Sequence, residues 1–218
     1  MRRNPPAAFT LIELLVVIAI IAILVGLLFP AFKAVQNQAK STQAKNDLTQ
    51  IVNAVNAFYT DYGKYPSSAA GSDTCYGWQI FNPTFQPLNA TLFNELRACT
   101  AAGPTCSGPQ TQNPRQVVYI SPPIVKDPTK PRSGICSAGG NAADVGKFYD
   151  PWGFQYNVEI DSSYDNTVRN PYVALPGGGG AGPDPVTQGV IAWSVGPDSF
   201  VGTNNNIYTN SDDVISWQ

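Results

Sequence analysis

The sequence predicts an α+β chain: one long N-terminal helix, apolar in its first half, packed through its second half on a small antiparallel β-sheet domain with long loops. Three observations carry this. Residues 9–30, FTLIELLVVIAIIAILVGLLFP, are apolar apart from Thr10 and Glu13. Residues 31–62 turn polar, yet apolar side chains keep recurring at spacings of three and four, the period of one helix face. The last third of the chain places short apolar runs between clusters of Gly, Pro, Asn and Asp, the pattern of short strands joined by turns.

The apolar run is long enough to cross a hydrocarbon core of roughly 30 Å at about 1.5 Å per residue. A carboxylate in such a helix costs about 2.5 kcal/mol or more, so Glu13 calls for a partner. Ahead of the run stands MRRNPPAA, basic through Arg2 and Arg3, broken by Pro5 and Pro6, and ending in the small pair Ala7–Ala8. A secretory signal peptide has its small residues after the apolar core. Here they come before it, and nothing like a cleavage site follows Pro30. A plain signal anchor leaves Glu13 unexplained.

Pro30 is expected to bend the helix rather than end it. Beyond it, Ala44, Leu48, Ile51, Val52, Val55, Phe58, Tyr59 and Tyr62 form one apolar stripe. Gly63 supplies the stop, with Pro66 shortly after. A single helix over 9–62 would be on the order of 80 Å long. The domain plan that follows is a short leader-like segment 1–8, a membrane or filament-core half-helix 9–32, a soluble half-helix 33–62, and a globular β domain 63–218 with a loop-rich insert at 67–147.

Within the insert, Ala90–Arg97 is expected to form a short helix and Val117–Ile120 a short strand. Asp150-Pro151-Trp152-Gly153 is a turn that feeds an alternating strand within Phe148–Val158. Residues 170–176 are a second strand candidate, 177–182 a flexible glycine connection, and Val190–Val195 a third strand. The glycine run is not a phosphate loop, because no Lys-Ser/Thr pair and no helix follow it. Three strands in succession predict an antiparallel sheet lying on the helix stripe.

The 218-residue chain is 43% hydrophobic and only 13% charged, with a net charge of −2. No basic patch offers a nucleic-acid surface. The chain has no histidine, which excludes Ser-His catalysis and His-ligated metals, and no enzyme is expected. Cys75, Cys99, Cys106 and Cys136 make an even set, and in an exported protein they favour two disulfides. All three pairings remain open. Zinc is disfavoured, since there is neither His nor a CxxC pair. Trp152 and Trp217 are expected to pack rather than to form a ligand platform.

The last segment, SVGPDSFVGTNNNIYTNSDDVISW at 194–217, has a chemistry of its own. Calcium takes about six to eight oxygen ligands from carboxylates, carbonyls and water. A loop with three acids among Asn, Ser and Thr, turning at Gly196, Pro197 and Gly202, can wrap such an ion. The alternative is an ordinary surface turn built from the same residue types. The spacing is not that of an EF-hand.

The N-terminal segment resembles the prepilin signal of type IV pilins and type II secretion pseudopilins. The resemblance implies cleavage by a prepilin peptidase between Ala8 and Phe9, methylation of the new Phe9 amine, and an assembly role for Glu13 as partner of a neighbouring subunit's Phe9 amine. Three soluble segments look like those of the major pseudopilin: Tyr59–Pro66 (YTDYGKYP), residues 148–156 (FYDPWGFQY), and the 194–217 segment. In that family the last is a calcium loop, and the matching ligand positions are Asp198, Asp212 and Asp213. The resemblance implies a single-pass inner-membrane protein with its C-terminal domain in the periplasm. It would polymerise with copies of itself, with minor pseudopilins and the inner-membrane secretion platform as partners, into a pseudopilus that drives protein export. The alternative is a type IV pilin or minor pilin for adhesion, motility or DNA uptake. Adhesive pilins carry a disulfide near the C-terminus, whereas no cysteine follows Cys136 here, which favours the secretion type.

Overall fold

The structure, a computed structural model, describes residues 10–67, 71–77, 89–99, 112–137, 139–172, 178–202 and 208–218. The chain divides into two compact units, Met1–Lys40 and Ser41–Gln218. Helix α1 runs from Leu11 to Tyr62, 52 residues, and continues through Pro30 as expected.

The helix begins in a capping box. The Thr10 backbone N–H and hydroxyl both donate to Glu13 Oε2, at 2.8 and 2.7 Å, and the Glu13 N–H donates back to Thr10 Oγ1 at 3.3 Å. Orphan donors of the first turn are thereby satisfied within four residues. From Leu11 to Val35 the described Leu, Ile, Val and Phe side chains are exposed. Among the described residues no helix is long and apolar enough to cross a membrane. The span expected over 9–30 includes Phe9, which lies outside the described residues, as do the side chains of Leu27 and Pro30.

In the second unit the stripe is buried as its spacing requires. Ala44, Leu48, Ile51, Val55 and Phe58 are fully buried, Ala54 joins them, and Val52 and Tyr62 pack at the margin. Tyr59 departs from the expectation: it is exposed and stacks on Tyr65 with ring centroids 4.5 Å apart. Gly63 ends the helix at φ +66°, its N–H donating to the Tyr59 carbonyl at 2.8 Å, a closure that favours a residue without Cβ.

The strands are β1 (Thr74–Tyr76), β2 (Gly134–Ile135), β3 (Phe148–Tyr149), β4 (Asn157–Ile160), β5 (Val190–Ser194) and β6 (Val214–Ile215), and a short helix α2 spans Asn89–Leu96. β1, β4, β5 and β6 form one antiparallel sheet in that order; β2 and β3 form a separate antiparallel ribbon. Along β4 and β5 the side chains alternate between two cores. Val158, Ile160, Val190 and Ala192 pack with the α1 stripe. Ile191, Trp193 and, on β6, Ile215 pack with Val168, Tyr172, Ala181 and Val186. The sheet is covered on both faces, which is why every residue of β4 and β5 is buried.

Four expectations need correction. Val117–Ile120 is not a strand. The Tyr119 and Ile120 N–H groups donate to the Leu96 carbonyl at the end of α2, at 2.8 and 3.3 Å, and the Asn113 side chain takes the N–H and carbonyl of Val117. These backbone groups serve a helix end and an amide side chain rather than a ladder. The described part of the 170–176 candidate is also not a strand: Pro171–Tyr172 is a turn in which the Tyr172 N–H donates to Asn170 Oδ1 at 3.0 Å, and residues 173–176 lie outside the described residues. The described part of the glycine connection, Gly178–Gly182, is hydrogen-bonded rather than free, since the Gly179 carbonyl accepts from the N–H groups of Tyr208 and Thr209. Finally, two disulfides are not formed. Cys99 is disulfide-bonded, but Cys75 and Cys136 are free thiols, the first on β1 beside the second core and the second in a small cluster with Val125 and Tyr149. Cys106 lies outside the described residues.

Candidate functional site

The turn expected at Asp150–Gly153 is built by one carboxylate. Asp150 Oδ1 accepts the N–H groups of Trp152, Gly153 and Phe154, at 2.9, 2.7 and 2.9 Å. Its other oxygen accepts the Ser194 hydroxyl at 2.6 Å. Asp150 is fully buried, and burial pushes its carboxyl above the ordinary range. Ser194 is the last residue of β5, and its Oγ in turn accepts the Gly196 N–H at 3.2 Å. The Asp-Pro-Trp-Gly turn therefore fixes the point at which the chain leaves the sheet and enters the 194–217 segment.

Gly196 then reverses the chain at φ +66°, where a Cβ would stand 2.6 Å from the Asp212 carbonyl oxygen. The turn needs glycine both for its dihedral and for this close approach. It brings Asp198 against the Asp212–Asp213 pair. Asp198, Asp212 and Asp213 each offer a carboxylate oxygen, and these oxygens lie within 4.8 Å of one another. Thus the structure gathers all three acids singled out in the sequence. The adjacent Asp212 and Asp213, just ahead of the short strand β6, both bring a carboxylate oxygen to the cluster.

Asp213 is the buried member. Its Oδ2 accepts the Tyr172 hydroxyl and the Gly202 N–H, both at 2.7 Å, while its Oδ1 is buried with no hydrogen-bond partner. Burial pushes its carboxyl up to about 6. Asp212 is raised too, first by burial and then by the Asp198 carboxylate. Asp198 Oδ1 accepts the Phe200 N–H at 2.9 Å. Three carboxylates held this close are mutually repulsive, and a cation would remove the repulsion. Calcium–oxygen bonds of about 2.3–2.6 Å put ligand oxygens at most about 5 Å apart. The spacing of the triad and the orphaned Asp213 oxygen fit that ion.

A second segment clamps this loop. Val168 and Val186 exchange backbone hydrogen bonds at 3.0 and 2.8 Å, closing 168–186 into a loop with a two-residue neck. From it Tyr172 holds Asp213, the Gly179 carbonyl holds Tyr208 and Thr209, and the Ala181 carbonyl accepts the Trp217 indole N–H at 2.7 Å. Trp217 packs against Trp193 and Tyr172, and Trp152 packs at the edge of the first core, so both have the packing role expected. Tyr172 and Asn170 are the residues that sequence reasoning missed. Their signal, Asn170-Pro171-Tyr172, is a turn signature, but the alternation around it resembles a strand equally well.

Of the N-terminal site, Ala8 and Phe9 lie outside the described residues, and Glu13 is exposed at the start of α1. The Thr10-x-x-Glu13 capping box is legible in the sequence, and it gives Glu13 a local role in addition to any intermolecular one.

Residues 3–29 match the family described as the prokaryotic N-terminal methylation motif. Type II secretion system core protein G of Pseudomonas aeruginosa is 37% identical over 89 residues, 41% of this chain and 61% of that protein. Over that stretch the chain is similar to a major pseudopilin, and its N-terminus carries the methylation motif. The core protein G of Aeromonas hydrophila is 32% identical over 87 residues of this chain, covering 40% of it and 58% of the relative. The chain thus spans about three-fifths of the length of these relatives. No solved structure matches it.

Proposed function

We propose that this pilin-like chain is a structural, non-catalytic subunit of a type II secretion pseudopilus. In this reading the prepilin peptidase cuts between Ala8 and Phe9, the apolar half of α1 holds the subunit in the inner membrane with its C-terminal domain in the periplasm, and extraction into a filament of like subunits, with minor pseudopilins and the inner-membrane platform as partners, drives export. One observation carries it. The described large apolar side chains from Leu11 to Val35 are exposed, although the same helix buries its stripe from Ala44 to Phe58. An apolar surface of that extent needs lipid or other copies of the helix around it. The N-terminal methylation motif over residues 3–29 supports this reading.

The second part of the proposal is a calcium ion held by Asp198, Asp212 and Asp213. The ion would supply charge compensation for the triad and a fixed geometry for the 196–213 turn. The protein's own residues supply the rest: Tyr172 and Gly202 orient Asp213, and Asp150 with Ser194 fixes the entry of the loop.

The test is assembly. Full-length chain expressed with its secretion partners should yield sheared filaments whose subunits begin at a methylated Phe9. Glu13→Ala should still insert in the membrane and give few or no filaments. Subunits retaining Met1 in the presence of active peptidase, or wild-type filament yield from Glu13→Ala, would overturn the assembly reading.

A further inference from the structure

Two surface features of the second unit have no part in the acid triad: a patch of stacked tyrosines among acids, and a basic loop rich in proline. The patch joins the end of α1 to the loop that follows β4. The Tyr59 and Tyr65 rings stack with centroids 4.5 Å apart, and the Tyr65 and Tyr164 rings with centroids 5.7 Å apart. Tyr65 is 8% exposed, but Tyr59 and Tyr164 are 39% and 55% exposed. Tyr164 stands at φ +61°, a costly conformation for a bulky side chain. Asp161 holds that turn by accepting the N–H groups of Asp165 and Asn166, at 3.2 and 2.7 Å. Two carboxylates belong to the patch. Asp73, just ahead of the edge strand β1, accepts the Ser163 hydroxyl at 3.0 Å, and Asp165 is exposed next to Tyr164 in the chain. The cations closest in sequence are engaged elsewhere: Lys64 donates to Gln112 Oε1 at 2.8 Å, and Arg169 interacts with the buried Glu159.

Residues 121–133, SPPIVKDPTKPRS, carry the opposite charge. Lys126, Lys130 and Arg132 are exposed, and none of them makes an ion pair among the described residues. The loop is tied at both sides, since the Val125 N–H donates to the Ile135 carbonyl at 3.0 Å and the Ser133 N–H to the Asp150 carbonyl at 2.8 Å. Between these ties Asp127 Oδ1 accepts the N–H and hydroxyl of Thr129, at 2.9 and 2.6 Å. Prolines at 122, 123, 128 and 131 restrict the backbone further. A loop shaped in advance loses little freedom on docking.

We infer that the basic loop of one copy docks on the tyrosine–acid patch of the next. Tyrosine and arginine are the residue types enriched at protein interfaces, and ammonium and guanidinium groups suit both ring faces and carboxylates. The two halves are complementary in charge, and one chain carries both on different elements. The contact is therefore heterologous, and unless the rotation closes into a ring it repeats from copy to copy as an open helical filament. Such complementarity sets register and partner choice more than affinity. The inference rests on the pseudopilus reading and names the surface through which the globular domains of that filament find one another.

The experiment is filament yield from the full-length chain expressed with its secretion partners. One variant reverses the loop, with Lys126→Glu, Lys130→Glu and Arg132→Glu. The other reverses the patch, with Asp73→Lys and Asp165→Lys. Each alone should lower the yield about tenfold at matched expression, because like charges then face each other. Coexpression of the two should restore filaments, since the acidic loop of one meets the basic patch of the other. Asp73 and Asp165 also shape their own loop, so Thr60→Lys with Ser72→Lys is the second patch variant. It adds two cations at exposed positions beside Tyr59 and Asp73 and leaves both carboxylates in place. Wild-type yield from the loop variant would overturn the inference, as would no recovery on coexpression with either patch variant. Normal filaments with export lost in the loop variant would also overturn it, by giving the loop a different acidic partner. Absence of filaments from the wild type itself would instead remove the pseudopilus reading, and the docking contact with it.

Discussion

The Tyr172 hydroxyl donates to Asp213 Oδ2 at 2.7 Å, joining two residues 41 positions apart, both buried. This bond makes the acid triad a composite of two segments. Asp213 comes from the closing loop, but its orientation is set by Tyr172, and its other buried oxygen has no hydrogen-bond partner among the described residues. The Asp213 charge pushes the Tyr172 phenol further above its ordinary value than burial alone does. Both effects hold Tyr172 in its neutral, donating form.

Tyr172→Phe should separate orientation from ligation. The phenylalanine keeps the ring contacts with Tyr208 and Trp217 and removes one donor to a carboxylate. A hydrogen bond to a charged group is worth about 1.5–3 kcal/mol, so the melting temperature should fall by several degrees with or without calcium. The increment added by calcium should persist, because the three carboxylates remain. Asp213→Asn should show the opposite pattern, with the calcium increment lost. Melting curves with calcium and with chelator read both; a calcium increment abolished by Tyr172→Phe alone would make the hydroxyl itself essential to the site.

The metal-free chain should lose stability as pH rises through the window set by Asp213. Its folded value of about 6 stands above the ordinary 3.8, so between the two the folded state holds more protons than the unfolded state. Stability is then highest below about pH 4, declines up to about pH 6, and changes little from this group beyond, with an upper bound of roughly 3 kcal/mol. A bound cation favours the ionised triad, and should reverse the slope. Denaturant titrations at pH 4, 5, 6 and 7, with chelator and with calcium, measure it. A metal-free stability that rises over that window would show that the acids are already compensated within the fold.

The architecture was legible because its signals are local and strong. The α1 stripe is a 3.6-residue period sustained over several turns, and its five buried members follow from spacing alone. The Asp150 turn and the β5 strand are likewise marked by turn residues and by an apolar run. The acid triad was visible as composition, although the same residue types also build ordinary surface turns. What the sequence concealed was long-range. β1 and β6 have three and two residues, too short for a period, and are strands only because β4 and β5 offer partners. Val117–Ile120 has strand chemistry, but its backbone is claimed by the end of α2 and by Asn113. Even parity at four cysteines favours two bridges, yet parity carries no distance, and Cys75 and Cys136 sit in different clusters.

Ser194→Ala tests whether the Asp-Pro-Trp-Gly turn and the acid loop act together. The substitution removes the 2.6 Å donor to Asp150 Oδ2 and leaves a fully buried carboxylate oxygen without that partner. It also removes the acceptor of the Gly196 N–H. The expected loss is about 1–3 kcal/mol in the metal-free chain. Because Gly196 starts the turn that carries Asp198 to Asp212, calcium affinity should fall as well, although Ser194 is not one of the three acids. Calorimetric titration of calcium into wild type and variant distinguishes the cases. An unchanged affinity beside a lowered stability would confine Ser194 to the fold.

Glu13 closes a capping box with Thr10 and is exposed, so the proposed assembly role has to be separated from the cap. Removing a helix cap costs about 0.5–2 kcal/mol, enough to fray the first turn but not a 52-residue helix. Glu13→Gln retains an oxygen that can accept from the Thr10 N–H and hydroxyl, but carries no charge. Glu13→Ala loses both functions, and Thr10→Ala weakens the cap while keeping the charge. If the charge serves assembly, by pairing with the amine of a neighbouring Phe9 in an apolar filament core, Gln and Ala should fail alike and Thr10→Ala should assemble, because an unpaired amine in that core is strongly unfavourable. If the cap is what matters, Gln should assemble and both Ala variants should be impaired. Filament yield from the three variants at matched expression, with insertion verified by membrane fractionation, separates the two. Assembly of Glu13→Gln at the wild-type level would remove charge pairing from the proposed mode of assembly.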